Sequence, residues 1–148
     1  MTIREEKMDL FNVPQGYYLA HCITADFSLG AGLAKKIDQV YNMKEKLDYF
    51  YPYLPFTDKD GDSQVGKALL IDNVFNLVTK KRPDKKAKYK RLYATLEDMR
   101  EKMEHRLITK IAIPKLGCGH DKMEWGRVRE IIEEVFEDSD VEILICTL

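Results

Sequence analysis

The segment Tyr17-Tyr-Leu-Ala-His-Cys-Ile23 has no charged residue and no alternation of apolar and polar positions. An apolar run of strand length without a solvent-facing alternate reads as a strand covered on both faces, the usual condition of a parallel sheet between helical layers. The next segments fit that reading. Thr24 to Ala34 is a polar, glycine-containing loop, and Ala31 to about Tyr41 predicts a helix with Leu33, Ile37 and Val40 on one face. Met43–Phe50 predicts a second, short helix, followed by the connection Tyr51-Pro-Tyr-Leu-Pro55.

Elsewhere strands and helices alternate. Thr2 to Glu6 predicts a short edge strand, and Asp9 to Pro14 a turn or single helical turn. Val65–Ile71 and Val74–Thr79 predict adjacent strands joined at Asp72-Asn73. Between about Lys88 and Arg106, Leu92, Leu96, Met99 and Met103 repeat at helical spacing. Lys110–Ile113 and Val141–Thr147 predict strands that flank a helix marked by Trp125, Val128, Ile132 and Val135. The class is therefore α/β, a mostly parallel sheet covered on both sides. With 148 residues and no internal linker, 1–148 reads as a single domain.

Charge and cysteine usage exclude other classes. Lys+Arg number 24 against 25 Asp+Glu, and 45% of residues are hydrophobic, which argues against a uniformly basic coat protein and against disorder. Cys22, Cys118 and Cys146 are an odd, scattered set, so neither a disulfide framework nor a metal site is expected. The N-terminal residues lack the apolar stretch of a signal peptide, and no run approaches the ~18 apolar residues of a membrane span. A reducing, cytoplasmic location and a monomer are the expectation. Asp58-Lys-Asp-Gly-Asp62 has its glycine misplaced for an EF-hand loop and no bidentate glutamate after it, so it reads as a turn.

Three segments can carry chemistry. Leu29-Gly-Ala-Gly-Leu33 comes after the first buried strand and opens a helix. It fits either a phosphate held by backbone amides at the helix N-terminus or a tight strand-to-helix turn. Pro114-Lys-Leu-Gly-Cys-Gly-His-Asp121 repeats the arrangement, and two such loops at one end of a parallel sheet can clamp a diphosphate. Within it, Asp121-Lys-Met-Glu124 has the spacing of a capping box. Cys118 reads as a nucleophile or as a small residue in a tight loop. Third, eight of the twelve residues from Lys80 to Arg91 are basic. That run fits a solvated surface or an anion or nucleic-acid patch. Lys80 also ends an apolar strand, where partial burial and neighbouring cations favour a neutral, nucleophilic amine. His21 reads as a satisfied core residue, His105 as a helix C-terminal partner of the dipole, and Trp125 as core.

Taken in order, Asp9-Leu-Phe, Leu19-Ala-His-Cys-Ile23, Gly30-Ala-Gly-Leu-Ala34, Leu77-Val-Thr-Lys-Lys-Arg82, Ile113-Pro-Lys-Leu-Gly-Cys-Gly-His-Asp121, Trp125 and Ile131–Glu137 resemble a macro domain. Thr79-Lys-Lys-Arg82 and Gly117-Cys-Gly-His-Asp121 are similar to the branch of terminal ADP-ribose protein glycohydrolase and the DarG antitoxin macrodomain. The asparagine-rich first loop of generic macro domains is absent. The resemblance covers nearly the whole chain and implies a three-layer α/β/α fold with a mixed, mostly parallel sheet.

The resemblance further implies an ADP-ribose ligand and the removal of terminal ADP-ribose from a protein carboxylate ester or a nucleobase. By it, Lys80 and Asp121 are the catalytic pair, with no metal or other cofactor. Asp9 and Leu10 border the adenine, Thr24 the distal ribose, and Leu148 the adenine side. Gly30, Ala31, Gly32 and Leu33, with Lys115, Leu116, Gly117, Cys118, Gly119 and His120, enclose the diphosphate and distal ribose. ADP-ribosylated protein or DNA is the implied partner, with a nucleic-acid contact through Lys80–Arg91. The chain departs from its relatives at Met8, where they carry glycine, at Cys146, where a relative has tyrosine, and at Tyr51–Pro55. Other functions that share the pocket are a non-catalytic ADP-ribose reader, ADP-ribose-1''-phosphate phosphatase and O-acetyl-ADP-ribose deacetylase.

Overall fold

The computed structural model describes residues 1–52 and 64–148. The turn expected at Asp58–Asp62 and the second half of the Tyr51–Pro55 connection lie outside the described residues.

Six strands form one sheet in the order β1 (Thr2–Lys7), β6 (Glu142–Thr147), β5 (Lys110–Ile113), β2 (Tyr18–Thr24), β4 (Val74–Lys80), β3 (Ala68–Ile71). All pairings are parallel except β3 with β4, which are joined through Asp72 in a left-handed conformation. The sheet is thus mixed and mostly parallel. β4 is buried at every position, as a central strand covered on both faces requires. β1 is exposed along most of its length and carries Arg4, Glu5, Glu6 and Lys7, charges that discourage edge-to-edge association.

Helices cover both faces. Along β4, Val74 and Val78 pack with Ile37 of α1 (Gly32–Tyr41) and with Met43 and Leu47 of α2 (Met43–Phe50). Phe75 and Leu77 face the other layer, with Leu92, Leu96, Met99 and Met103 of α3 (Tyr89–Arg106) and Val128, Ile131 and Ile132 of α4 (Trp125–Val135). Each such fully buried side chain contributes roughly 1.5–3 kcal/mol, so the two layers hold the sheet between them.

Three expectations are corrected. Val40 is 62% exposed, because α1 ends at Tyr41 and left-handed Asn42 turns the chain into α2, which takes over the apolar contact through Met43 and Leu47. The strand expected from Val65 starts only at Ala68, because the Lys67 amide bonds back to Gln64 and Gly66 adopts φ +95°. Asp121 is not the cap of α4. Lys122 is left-handed at φ +55° and turns the chain, so the helix begins at Trp125 after Glu124, with no side-chain capping bond.

Candidate active site

Because β1, β2, β4, β5 and β6 are parallel, their C-terminal ends reach one edge of the sheet, where open α/β sheets hold ligands. That edge collects Asp9 and Leu10 after β1, the Thr24–Leu33 loop after β2, Lys80 at the end of β4, Pro114–Asp121 after β5 and Leu148 after β6.

The two glycine loops meet. A cavity of about 310 Å³ is lined by Ala31, Gly32, Leu33 and Ala34 on one side and by Lys115, Leu116, Gly117, Gly119, His120 and Asp121 on the other. His21, Cys22 and Pro114 complete its lining. Ala31 caps α1 without a side-chain hydrogen bond. The first amides of any helix lack intrahelical acceptors, and here Gly32, Leu33 and Ala34 carry them against the cavity, an anion-binding arrangement. Gly32 at φ +56° makes the entry into the helix. Gly117 at φ +73° lets the second loop fold back so that Met123 N–H donates to the Gly117 carbonyl at 2.8 Å.

Lys80 and Asp121 are brought together at the cavity's rim. Lys80 Nζ donates to Asp121 Oδ1 at 2.6 Å and to the Pro83 carbonyl at 3.3 Å. The side chains are 8% and 14% exposed, so the pair is largely withdrawn from water. Each would be costly to leave there alone. Of the pair, Asp121 lines the 310 Å³ cavity, whereas Lys80 lines a neighbouring one of about 280 Å³ with Val65, Thr79, Lys81, Lys85, Lys86, Lys88 and Arg91. The basic run therefore wraps a concave surface adjoining the ion pair.

The remaining candidates are more dispersed. Thr24, opposite Lys80 in the β2–β4 register, donates from Oγ1 to Asp26 Oδ1 at 2.5 Å. Asp9 Oδ1 accepts from Phe11 N–H at 2.9 Å and so caps the 3-10 turn Leu10–Asn12, while Leu10 is buried. Neither Asp9, Leu10, Thr24 nor Gly30 lines the 310 Å³ cavity, and Leu148 is 99% exposed. Cys118 Sγ donates to the Leu116 carbonyl at 3.4 Å, and burial, opposed by Lys115, raises its thiol pKa. Burial also pushes Cys22 up to about 12, assisted by the charge of Asp121. The raised thiol pKa of Cys118 argues against the nucleophile reading and favours the small residue in a tight loop. Trp125 is half-buried and its indole N–H donates to Glu5 Oε1 at 2.7 Å, with Lys115 Nζ 5.9 Å from the ring centre.

His21 departs from the satisfied core residue that the sequence suggests. It is buried, but it lines the cavity and only one of its nitrogens is engaged: Nε2 lies 2.6 Å from Asn76 Oδ1, and Nδ1 has no hydrogen-bond partner among the described residues. The available signal is a polar ring inside an otherwise apolar strand that leads straight into a glycine loop.

No protein-family model matches the chain. Over 144 residues it is 36% identical to the ADP-ribose glycohydrolase OARD1 of Bos taurus, spanning 96% of this chain and 89% of that protein. The macrodomain of Mycobacterium tuberculosis DarG superposes with a TM-score of 0.80 at 22% identity, over 98% of this chain and 97% of that one. Thermosipho africanus DarTG, solved in complex with ADP-ribose, superposes with a TM-score of 0.75 at 17% identity, over 99% of this chain and 42% of that one.

Proposed function

This chain belongs to the macro domain family, with the ADP-ribose glycohydrolases among its relatives, and on that premise we propose that it hydrolyses the bond between a terminal ADP-ribose and its acceptor. The observation that carries this reading is the buried Lys80–Asp121 pair at the rim of a cavity built from two glycine loops and a helix N-terminus. The loops and the amides of α1 suit a diphosphate. The pair suits chemistry on the sugar beside it.

The mechanism proceeds in steps that conserve charge and atoms. Asp121 takes a proton from Lys80 Nζ, 2.6 Å away, which leaves a neutral amine. The amine attacks the anomeric carbon of the distal ribose, and the acceptor leaves with the electrons of the broken bond, as a carboxylate when the linkage is an ester. Since Asp121 is already protonated, the lysine nitrogen then gives up a proton to the departed acceptor or to water. Its lone pair expels the ring oxygen, which is protonated by Asp121, and an iminium forms on Lys80. Water adds to the iminium carbon, the amine departs, and the sugar closes to free ADP-ribose.

The second cavity bears on the acceptor. Its five cations share that cavity with Lys80, the residue proposed to carry the reaction, which supports a polyanionic acceptor such as ADP-ribosylated DNA. A panel of ADP-ribosylated protein carboxylate, ADP-ribosylated DNA base and O-acetyl-ADP-ribose, each assayed with wild type and Lys80→Ala, tests both parts. Turnover that depends on Lys80 supports hydrolysis through the lysine. Binding of ADP-ribose without turnover of any substrate identifies a reader instead.

A further inference from the structure

The cavity holds a feature that the lysine chemistry does not use. His21 sits in β2 beside Asn76 of β4, its register partner. Asn76 Nδ2 donates to the Leu69 carbonyl at 3.0 Å, so its carboxamide oxygen is the atom that faces His21 at 2.6 Å. That oxygen can only accept, so His21 Nε2 carries the hydrogen and donates. Burial lowers the imidazole pKa to about 4, against the smaller opposing effect of Asn76, so the ring is neutral at physiological pH. A neutral ring protonated at Nε2 presents a bare lone pair at Nδ1.

Nδ1 is the one buried side-chain nitrogen or oxygen without a partner among the described residues. A buried acceptor left unpaired destabilises the folded chain, because it gives up its hydrogen bond to water and gains none. Such a cost, at a residue that lines the ligand cavity, points to a donor that arrives with the ligand. A phosphate oxygen cannot be that donor, since two acceptors repel. The lone pair selects a hydroxyl hydrogen.

We propose that His21 is a positioning residue of the cavity, whose Nδ1 accepts a hydrogen bond from an O–H group in the ADP-ribose complex, either a hydroxyl of the distal ribose or a water held beneath the diphosphate. The proposal rests on the ADP-ribose reading above. Asn76 acts through His21 by fixing the tautomer.

The test is nitrogen-15 spectroscopy of the histidine-labelled full chain, with His21→Phe used to assign the signal. In the free protein the His21 pattern should be that of a neutral ring protonated at Nε2. Saturation with ADP-ribose should move the Nδ1 resonance in the direction of an accepted hydrogen bond. Repeating the titration with ADP, which lacks the distal ribose, separates the two donors. A shift with both ligands identifies the water, and a shift with ADP-ribose alone identifies the ribose hydroxyl. An Nδ1 resonance unmoved by bound ADP-ribose overturns the proposal while leaving the ADP-ribose reading intact. Absence of calorimetric binding overturns that reading and the proposal with it. As a second readout, His21→Phe with Asn76→Leu removes both polar partners together. ADP-ribose affinity should then fall about five- to tenfold, the worth of one hydrogen bond, in a variant whose cooperative melting shows it folded despite the loss of the Asn76 donor to the Leu69 carbonyl. Unchanged affinity in the folded double variant contradicts the proposal.

Discussion

Lys80 Nζ and Asp121 Oδ1 lie 2.6 Å apart, in side chains only 8% and 14% exposed. Removing one member leaves a buried charge without its partner, at a cost of roughly 3–5 kcal/mol, whereas replacing both by apolar side chains is often close to neutral. Lys80→Ala should therefore abolish turnover, leave ADP-ribose binding within a few-fold of wild type and lower stability. Lys80→Met combined with Asp121→Leu should be equally inactive yet regain much of the lost stability. Denaturant unfolding beside calorimetric titration checks both effects.

His21 gives the fold a specific acid sensitivity. Its pKa is about 4 in the folded chain against 6.5 for a free histidine. Between those values the unfolded chain binds the extra proton, so stability is present above pH 6.5 and is lost as pH falls toward 4. The contribution is about 3 kcal/mol. Unfolding free energies measured from pH 7 to 4 should decline less steeply for His21→Phe with Asn76→Leu than for wild type. Parallel declines contradict this assignment.

Gly117 holds φ +73°, and a Cβ there would stand 2.5 Å from Met123 Sδ. Met123 can swing its sulfur aside, but the backbone conformation remains unfavourable for alanine. Gly117→Ala should cost about 1 kcal/mol or more and weaken ADP-ribose binding by reshaping the second loop. A melting curve and a titration on the same sample check it.

Lys85 and Lys86 line the basic cavity next to Lys80. Changing both to alanine should shift the ratio of DNA-linked to small-ester hydrolysis at least fivefold against the DNA substrate. It should also flatten the salt dependence of DNA binding by about two phosphate contacts. An unchanged ratio and slope would remove the nucleic-acid reading.

Much of the architecture is legible in the sequence because the apolar runs are long and uncharged. The seven residues from Tyr17 to Ile23 place β2, and the spacing of Leu92, Leu96, Met99 and Met103 places the buried face of α3. The loops after β2 and β5 can be paired because parallel strands send their C-terminal ends to one edge. Local spacing misleads at Asp121. The capping-box spacing is present, but left-handed Lys122 turns the chain before the helix begins, and the ion pair of Asp121 with Lys80 is a non-local contact that spacing does not show. His21 looks satisfied in sequence because a single chain of letters cannot show that Asn76 takes one nitrogen and leaves the other.

The lysine adduct is the central step of the proposed reaction, and reductive trapping tests it most directly. The protein is mixed with an ADP-ribosyl ester substrate, quenched with borohydride during turnover, and mapped by mass spectrometry. The lysine mechanism predicts a reduced ADP-ribose adduct on the peptide that contains Lys80, absent when Lys80 is replaced by alanine. Full hydrolysis by Lys80→Ala, with no adduct trapped on the wild-type chain, would contradict it.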